Sequence, residues 1–81
     1  MARVTLTGNL RRFTGGIAEM EVEAVSVRQL FARLSRDFPA LAPHLDQGPA
    51  VAIDGQIYQH ALFQEIAAGS EVHIMPQIAG G

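Results

Sequence analysis

The spacing of apolar side chains changes period twice along this chain, and that change limits the folds open to it more than any other feature. From Arg3 to Thr7 the chain alternates, with Val4 and Leu6 on one side and Arg3, Thr5 and Thr7 on the other, as a half-buried strand requires. The apolar spacing runs on through Leu10 to Phe13, so the strand is expected to extend there. Thr14-Gly15-Gly16 then supplies the permissive backbone of a turn. Met20, Val22 and Ala24 alternate with Glu19, Glu21 and Glu23, which predicts a hairpin partner for the first strand.

At Ser26 the period becomes helical. Val27, Leu30, Phe31, Leu34 and Phe38 lie along one side of a helix, and Arg28, Arg33, Arg36 and Asp37 take the other. Ser26, with Gln29 three residues on, fits a capping box; Pro39 pushes Phe38 out of the α region and ends the helix. Residues 40–49 hold Pro43, Gly48 and Pro49 and read as a loop with a short helical turn anchored by Leu41 and Leu45. Period two returns in 50–53 and 56–58, around Asp54-Gly55, a pair whose tolerance of positive φ favours a tight hairpin. Residues 59–70 read as an irregular passage tethered by Leu62 and Ile66. In the final strand Val72 and Ile74 point inward and His73 and Met75 outward, and Pro76, which has no N–H for the ladder, ends it.

One apolar helix face and several one-sided strands must bury each other. The expected fold is therefore α+β, one main helix packed across a mixed sheet of four or five strands, the β-grasp or ubiquitin-like arrangement. The domain is expected over 1–76, with a flexible tail over 77–81. A length of 81 residues suits one domain. Net stability should fall at roughly 4–12 kcal/mol, and a deep private active site does not fit so small a body.

Composition removes several function classes. Six basic residues against eight acidic ones give a formal charge of −2 with no basic run, so nucleic acid is not an expected partner. No apolar stretch has the length of a membrane span or the form of a signal peptide, so the expected address is cytoplasmic, away from membranes. Absence of Cys removes disulfides, thiolate nucleophiles and zinc–thiolate sites together. His44, His60 and His73 are too widely spaced to form a recognised ligand pattern. Ser26 is more economically a helix cap than a nucleophile, and Gly15-Gly16 lacks the Lys and following Ser or Thr of a phosphate loop. Neither a resident metal nor an independent enzyme is expected.

The chain ends Pro76-Gln77-Ile78-Ala79-Gly80-Gly81. Gly loses more entropy on ordering than any other residue, so a terminal pair contributes nothing to folding. The five residues after Pro76 can reach roughly 16–18 Å beyond the sheet, and the last two, without Cβ, can enter a channel closed to other residues. Such a tail presents the Gly81 α-carboxylate, ionised at neutral pH because its reference pKa is about 3.3–3.7. A carboxylate is a poor electrophile. Transfer to the α-phosphate of ATP would give it a leaving group, and a sulfur nucleophile from another protein could then displace the nucleotide.

Strand one, the helix opening Ser26-Val27-Arg28-Gln29-Leu30, the entry Gly69-Ser70-Glu71-Val72-His73-Ile74 and the ending Pro76…Ala79-Gly80-Gly81 together resemble the sulfur-carrier family. That family includes the small subunit of molybdopterin synthase and the sulfur carrier of thiamine biosynthesis. The resemblance covers essentially the full length and is most specific over the last dozen residues. It implies a non-catalytic co-substrate whose terminal glycine, matched by Gly81, is adenylated by an E1-like enzyme using ATP and Mg²⁺, with no cofactor bound permanently. A desulfurase or rhodanese-type protein would supply persulfide sulfur to make a thiocarboxylate. A large molybdopterin-synthase subunit or another sulfur-accepting enzyme would then receive the tail, with molybdopterin the expected pathway. The resemblance assigns Ala79 and Gly80 to the channel-threading tail, and Ile57, Met75 and Ile78 to partner docking through an apolar patch on the exposed sheet face. Where the family often has an aromatic residue near the end of strand one, this chain has Thr7. Alternatives are a thiamine thiazole sulfur carrier and a ubiquitin-like modifier joined to target lysines.

Overall fold

The structure is a computed structural model and describes residues 1–59 and 61–76. Five strands form one mixed sheet: β1 (Ala2–Leu6), β2 (Glu19–Val22), β3 (Ala50–Ile53), β4 (Gln56–Tyr58) and β5 (Glu71–Met75), in the order β2-β1-β5-β3-β4. Among the described residues only the β1–β5 pair is parallel. The main helix α1 (Val27–Asp37) packs across one face, and the core beneath it is built from Val4, Leu6, Leu30, Leu34, Val72 and Ile74. A β-grasp fold results, with the last strand held between β1 and β3.

Local chemistry accounts for most boundaries. The Ser26 hydroxyl accepts from the Gln29 amide at 3.2 Å, and the Gln29 side chain accepts from the Val25 amide at 2.8 Å, so the box closes one residue before the cap. Helix α1 stops at Asp37, and Phe38 leaves the helical region ahead of Pro39. Beyond it, Pro39–Leu41 and α2 (Ala42–Asp46) form the short helical turn, with Leu41 and Leu45 buried. Asp54 and Gly55 take φ of 50° and 89°, which the tight turn between β3 and β4 needs.

Two expectations are corrected. The first strand does not extend through Leu10 to Phe13. Gly8 takes φ 64°, which an extended strand cannot follow, and Gly8–Thr14 winds into a 3₁₀ segment. Leu10 and Phe13, three residues apart, share a side of such a helix; Leu10 is buried and Phe13 stacks on His44 with ring centroids 3.9 Å apart. Leu62 does not anchor the passage after β4, because its side chain is 45% exposed. Ile66 is buried there as expected, and the rest of the tether is backbone. The Val27 and Arg28 amides donate to the Gln64 and Leu62 carbonyls at 3.0 and 2.8 Å, satisfying first-turn donors that have no partner inside the helix.

Candidate functional site

Parity in β5 sends Val72 and Ile74 into the core and leaves Glu71, His73 and Met75 on the open face of the sheet. The strand register then decides what surrounds them. Thr5, His73, Ala52 and Ile57 lie side by side across four strands, with Glu19 opposite Thr5 at the β2 edge. Met75 sits one step nearer the end of β5, opposite Ala50. Ile57 is 62% exposed and Met75 partly buried. These two residues stand two strands apart and two positions out of register, about 12 Å between Cα atoms at standard sheet spacings. The ground between them is Ala50 and Ala52, side chains too small to fill it.

The other end of the same face is charged. Arg3 lies opposite Glu21 on one side and Glu71 on the other. Asp54 closes the corner: its carboxylate accepts from the Glu71 amide at 3.0 Å while its own amide donates to the Glu71 carbonyl at 2.9 Å. The Glu71 amide first, and the Ser70 hydroxyl second, hold the Asp54 carboxyl below its ordinary value of 3.8. The face therefore grades from carboxylates at the start of β5 to small and apolar side chains at its end.

That apolar end is where the chain leaves the sheet. Thr7 secures the exit, since both its amide and its hydroxyl donate to the Ile74 carbonyl, at 3.1 and 3.2 Å. The short hydroxyl side chain at this position is thus spent on the backbone of β5. Gly8 follows, and a Cβ placed on it would stand 3.0 Å from Pro76 Cγ and 3.2 Å from Cδ. The proline ring rests directly on the glycine backbone. Neither contact is legible in the sequence; the one signal is a glycine immediately after a strand.

Of the sequence-predicted site residues, Ile57 and Met75 share the open face. Ile78, Ala79, Gly80 and Gly81 lie outside the described residues, as does His60. His44 is engaged with Phe13 and His73 stands in the middle of the open sheet face. A separate groove of about 390 Å³ between α1 and the β3–β4 side has Val27, Phe31, Leu45, Val51, Tyr58 and Leu62 among its lining residues.

The sequence profile of the ThiS family matches residues 4–81. The chain belongs to the ThiS family. Its place among the ubiquitin-like sulfur carriers follows from that match, and with it the general role of a sulfur carrier. No curated protein matches the sequence significantly. Among solved structures, Mycobacterium tuberculosis CysO, described as an antigen, superposes with a TM-score of 0.82 at 17% identity, covering 96% of this chain and 100% of that one. Small archaeal modifier protein 1 of Haloferax volcanii gives 0.72 at 24% identity over 99% and 98%. A complex of subunits 1 and 2 of the molybdopterin-converting factor of Helicobacter pylori gives 0.70 at 19% over 99% and 97%. At such identities these likenesses establish a shared fold.

Proposed function

We propose that this ThiS-family member carries sulfur as a thiocarboxylate on Gly81. An E1-like partner using ATP and Mg²⁺ adenylates the glycine carboxylate, and a persulfide from a desulfurase or rhodanese-type protein replaces the nucleotide with sulfur. The charged tail then donates that sulfur to a cofactor precursor, with the pterin precursor of molybdopterin as the first acceptor to test and the thiazole of thiamine as the second. The chain is the co-substrate in each step, and catalysis belongs to the partners.

One observation carries this reading. The strand that leads into the tail lies in the middle of the sheet, and its exit at Pro76 is braced by Thr7 and Gly8 beside the apolar end of the open face. A partner docking over Ile57 and Met75 would hold the start of the tail while roughly 16–18 Å of chain enters its active site. Deleting Gly81 tests the reading. The deletion should abolish pyrophosphate exchange into ATP by the activating enzyme while the melting temperature stays within a degree or two. Exchange that persists in the truncated protein contradicts the proposal.

A second reading, a modifier joined to target lysines, is favoured by the likeness to small archaeal modifier protein 1. Isopeptide adducts in cell extract would support it. A gain of about 16 Da on the free protein, sulfur in place of oxygen, supports the carrier.

A further inference from the structure

Strand β2 ends the sheet on one side, and its ladder to β1 fixes which of its backbone groups stay open. The Leu6 amide donates to the Ala18 carbonyl at 2.7 Å. Bonded and non-bonded pairs alternate along an antiparallel ladder. Val4 with Met20 and Ala2 with Val22 are therefore the bonded pairs, and Thr5 with Glu19 and Arg3 with Glu21 the non-bonded ones. The other side of β1 agrees, because the Arg3 and Thr7 amides donate toward β5, to the Ser70 and Ile74 carbonyls at 2.9 and 3.1 Å. The N–H and C=O groups of Glu19 and Glu21 thus point away from the sheet, and no described residue pairs with them. Open groups spaced two residues apart are the template that an added strand uses.

Side chains follow the same parity. Glu19 and Glu21 are exposed on the open face beside Thr5 and Arg3, whereas Met20 and Val22 are half-buried on the helix side, at the margin of the core. Arg3 is the one basic residue in register with these carboxylates. The charges select the occupant of the edge. A second copy adding antiparallel through its own β2 would set Glu19 against Glu21 and Glu21 against Glu19, and like charges directly opposite each other destabilise a pair. A strand with Arg or Lys in those places gains at both.

We infer that the free edge of β2 receives an extended segment of a partner protein, added antiparallel, with basic residues at i and i+2 opposite Glu21 and Glu19 and apolar residues at i−1 and i+1 over Val22 and Met20. Backbone bonds attach the segment, and its alternation of basic and apolar side chains gives the specificity. The inference stands apart from the carrier reading, because no residue of the tail enters it.

The test titrates the isotope-labelled 81-residue chain with end-blocked synthetic peptides: Thr-Val-Arg-Val-Arg-Val-Thr, its rearrangement Thr-Arg-Arg-Val-Val-Val-Thr of equal charge, and Thr-Val-Glu-Val-Glu-Val-Thr. Backbone amide shifts and amide hydrogen exchange are read by NMR. At saturation the alternating basic peptide should shift the Glu19 and Glu21 amides and slow their exchange at least about threefold. The Met20 and Val22 amides, already bonded to β1, should keep their own rates. The same peptide should bind at least about tenfold more tightly than either of the others. Glu21→Pro removes one outward donor at a kind of position where an edge strand tolerates proline and should abolish binding. Glu19→Arg with Glu21→Arg leaves the backbone intact and should reverse the preference to the acidic peptide. Circular dichroism confirms that each variant is folded. No shift at millimolar peptide, or equal binding of the alternating and rearranged peptides, overturns the inference and leaves the edge a solvated or diffusely anionic face. Slowed exchange at Glu19 and Glu21 on concentrating the chain alone overturns it in favour of a second copy.

Discussion

The contact between Gly8 and Pro76 ties the 3₁₀ segment to the last described residue of the chain, and it can be isolated by substitution. Gly8→Ala places a methyl 3.0 Å from the Pro76 ring on a backbone at φ 64°. The left-handed conformation alone costs an L-residue roughly 1–2 kcal/mol. Pro76 is exposed and its ring has room to shift, so the clash should add about 1 kcal/mol, the low end for inserted methyl groups. Gly15 is the matched control, at φ 69° with no atom near its would-be Cβ. With roughly 4–8 °C of melting temperature per kcal/mol in a domain this size, Gly15→Ala should lower the midpoint by roughly 4–16 °C and Gly8→Ala by a further 4–8 °C. Thermal unfolding followed by circular dichroism measures both. The double variant Gly8→Ala with Pro76→Ala, set against Pro76→Ala alone, should recover the excess as a coupling energy. Equal losses at the two glycines, or no recovery on removing the ring, would refute the claimed contact.

Other expectations follow from single residues. Ser26→Ala removes the helix cap and should cost about 1 kcal/mol, read as a drop in urea midpoint at unchanged slope. Leu30→Ala opens a cavity in the fully buried centre of α1 at a cost of roughly 2–5 kcal/mol, enough to leave a large unfolded fraction by circular dichroism at 37 °C. Asp54 titrates lower folded than unfolded, so its ionised form adds stability above about pH 4 that is lost as pH falls through the folded value; Asp54→Asn, scanned by chemical denaturation, should flatten that part of the pH profile. Glu19 and Glu21 border the open sheet face; if they steer a partner, Glu19→Gln with Glu21→Gln should weaken the salt dependence of association with the proposed E1-like enzyme in stopped-flow measurements, and an unchanged salt dependence would make them a solvated face only.

The sequence discloses what depends on neighbouring residues. The Ser26–Gln29 cap, the stop before Pro39, the Asp54-Gly55 turn and the parity of β5 are local events, and each is readable from spacing. Gly8–Thr14 defeats such a reading because Leu10 and Phe13 satisfy both an irregular strand and a 3₁₀ helix, and the decision lies in the φ of Gly8. Leu62 defeats it because an apolar residue in a loop invites the inference of burial, when its carbonyl does the tethering. The site divides in the same way. Outward parity places Ile57 and Met75 on the open face, but the row through Thr5, His73 and Ala52, and the bracing of Pro76, depend on the parallel pairing of β1 with β5 from opposite ends of the chain, which no local pattern encodes. Gly80 and Gly81, the proposed chemical end of the chain, are legible only as composition and lie outside the described residues.

The proposed carrier role requires Gly81 to be chemically charged with sulfur. Intact-mass spectrometry of the protein isolated from cells with an active cysteine desulfurase addresses it without any assumption about the acceptor. A species about 16 Da heavier than the free acid is expected, absent when Gly81 is deleted. A chain found only as the free acid, or only in amide linkage to other proteins, would contradict it.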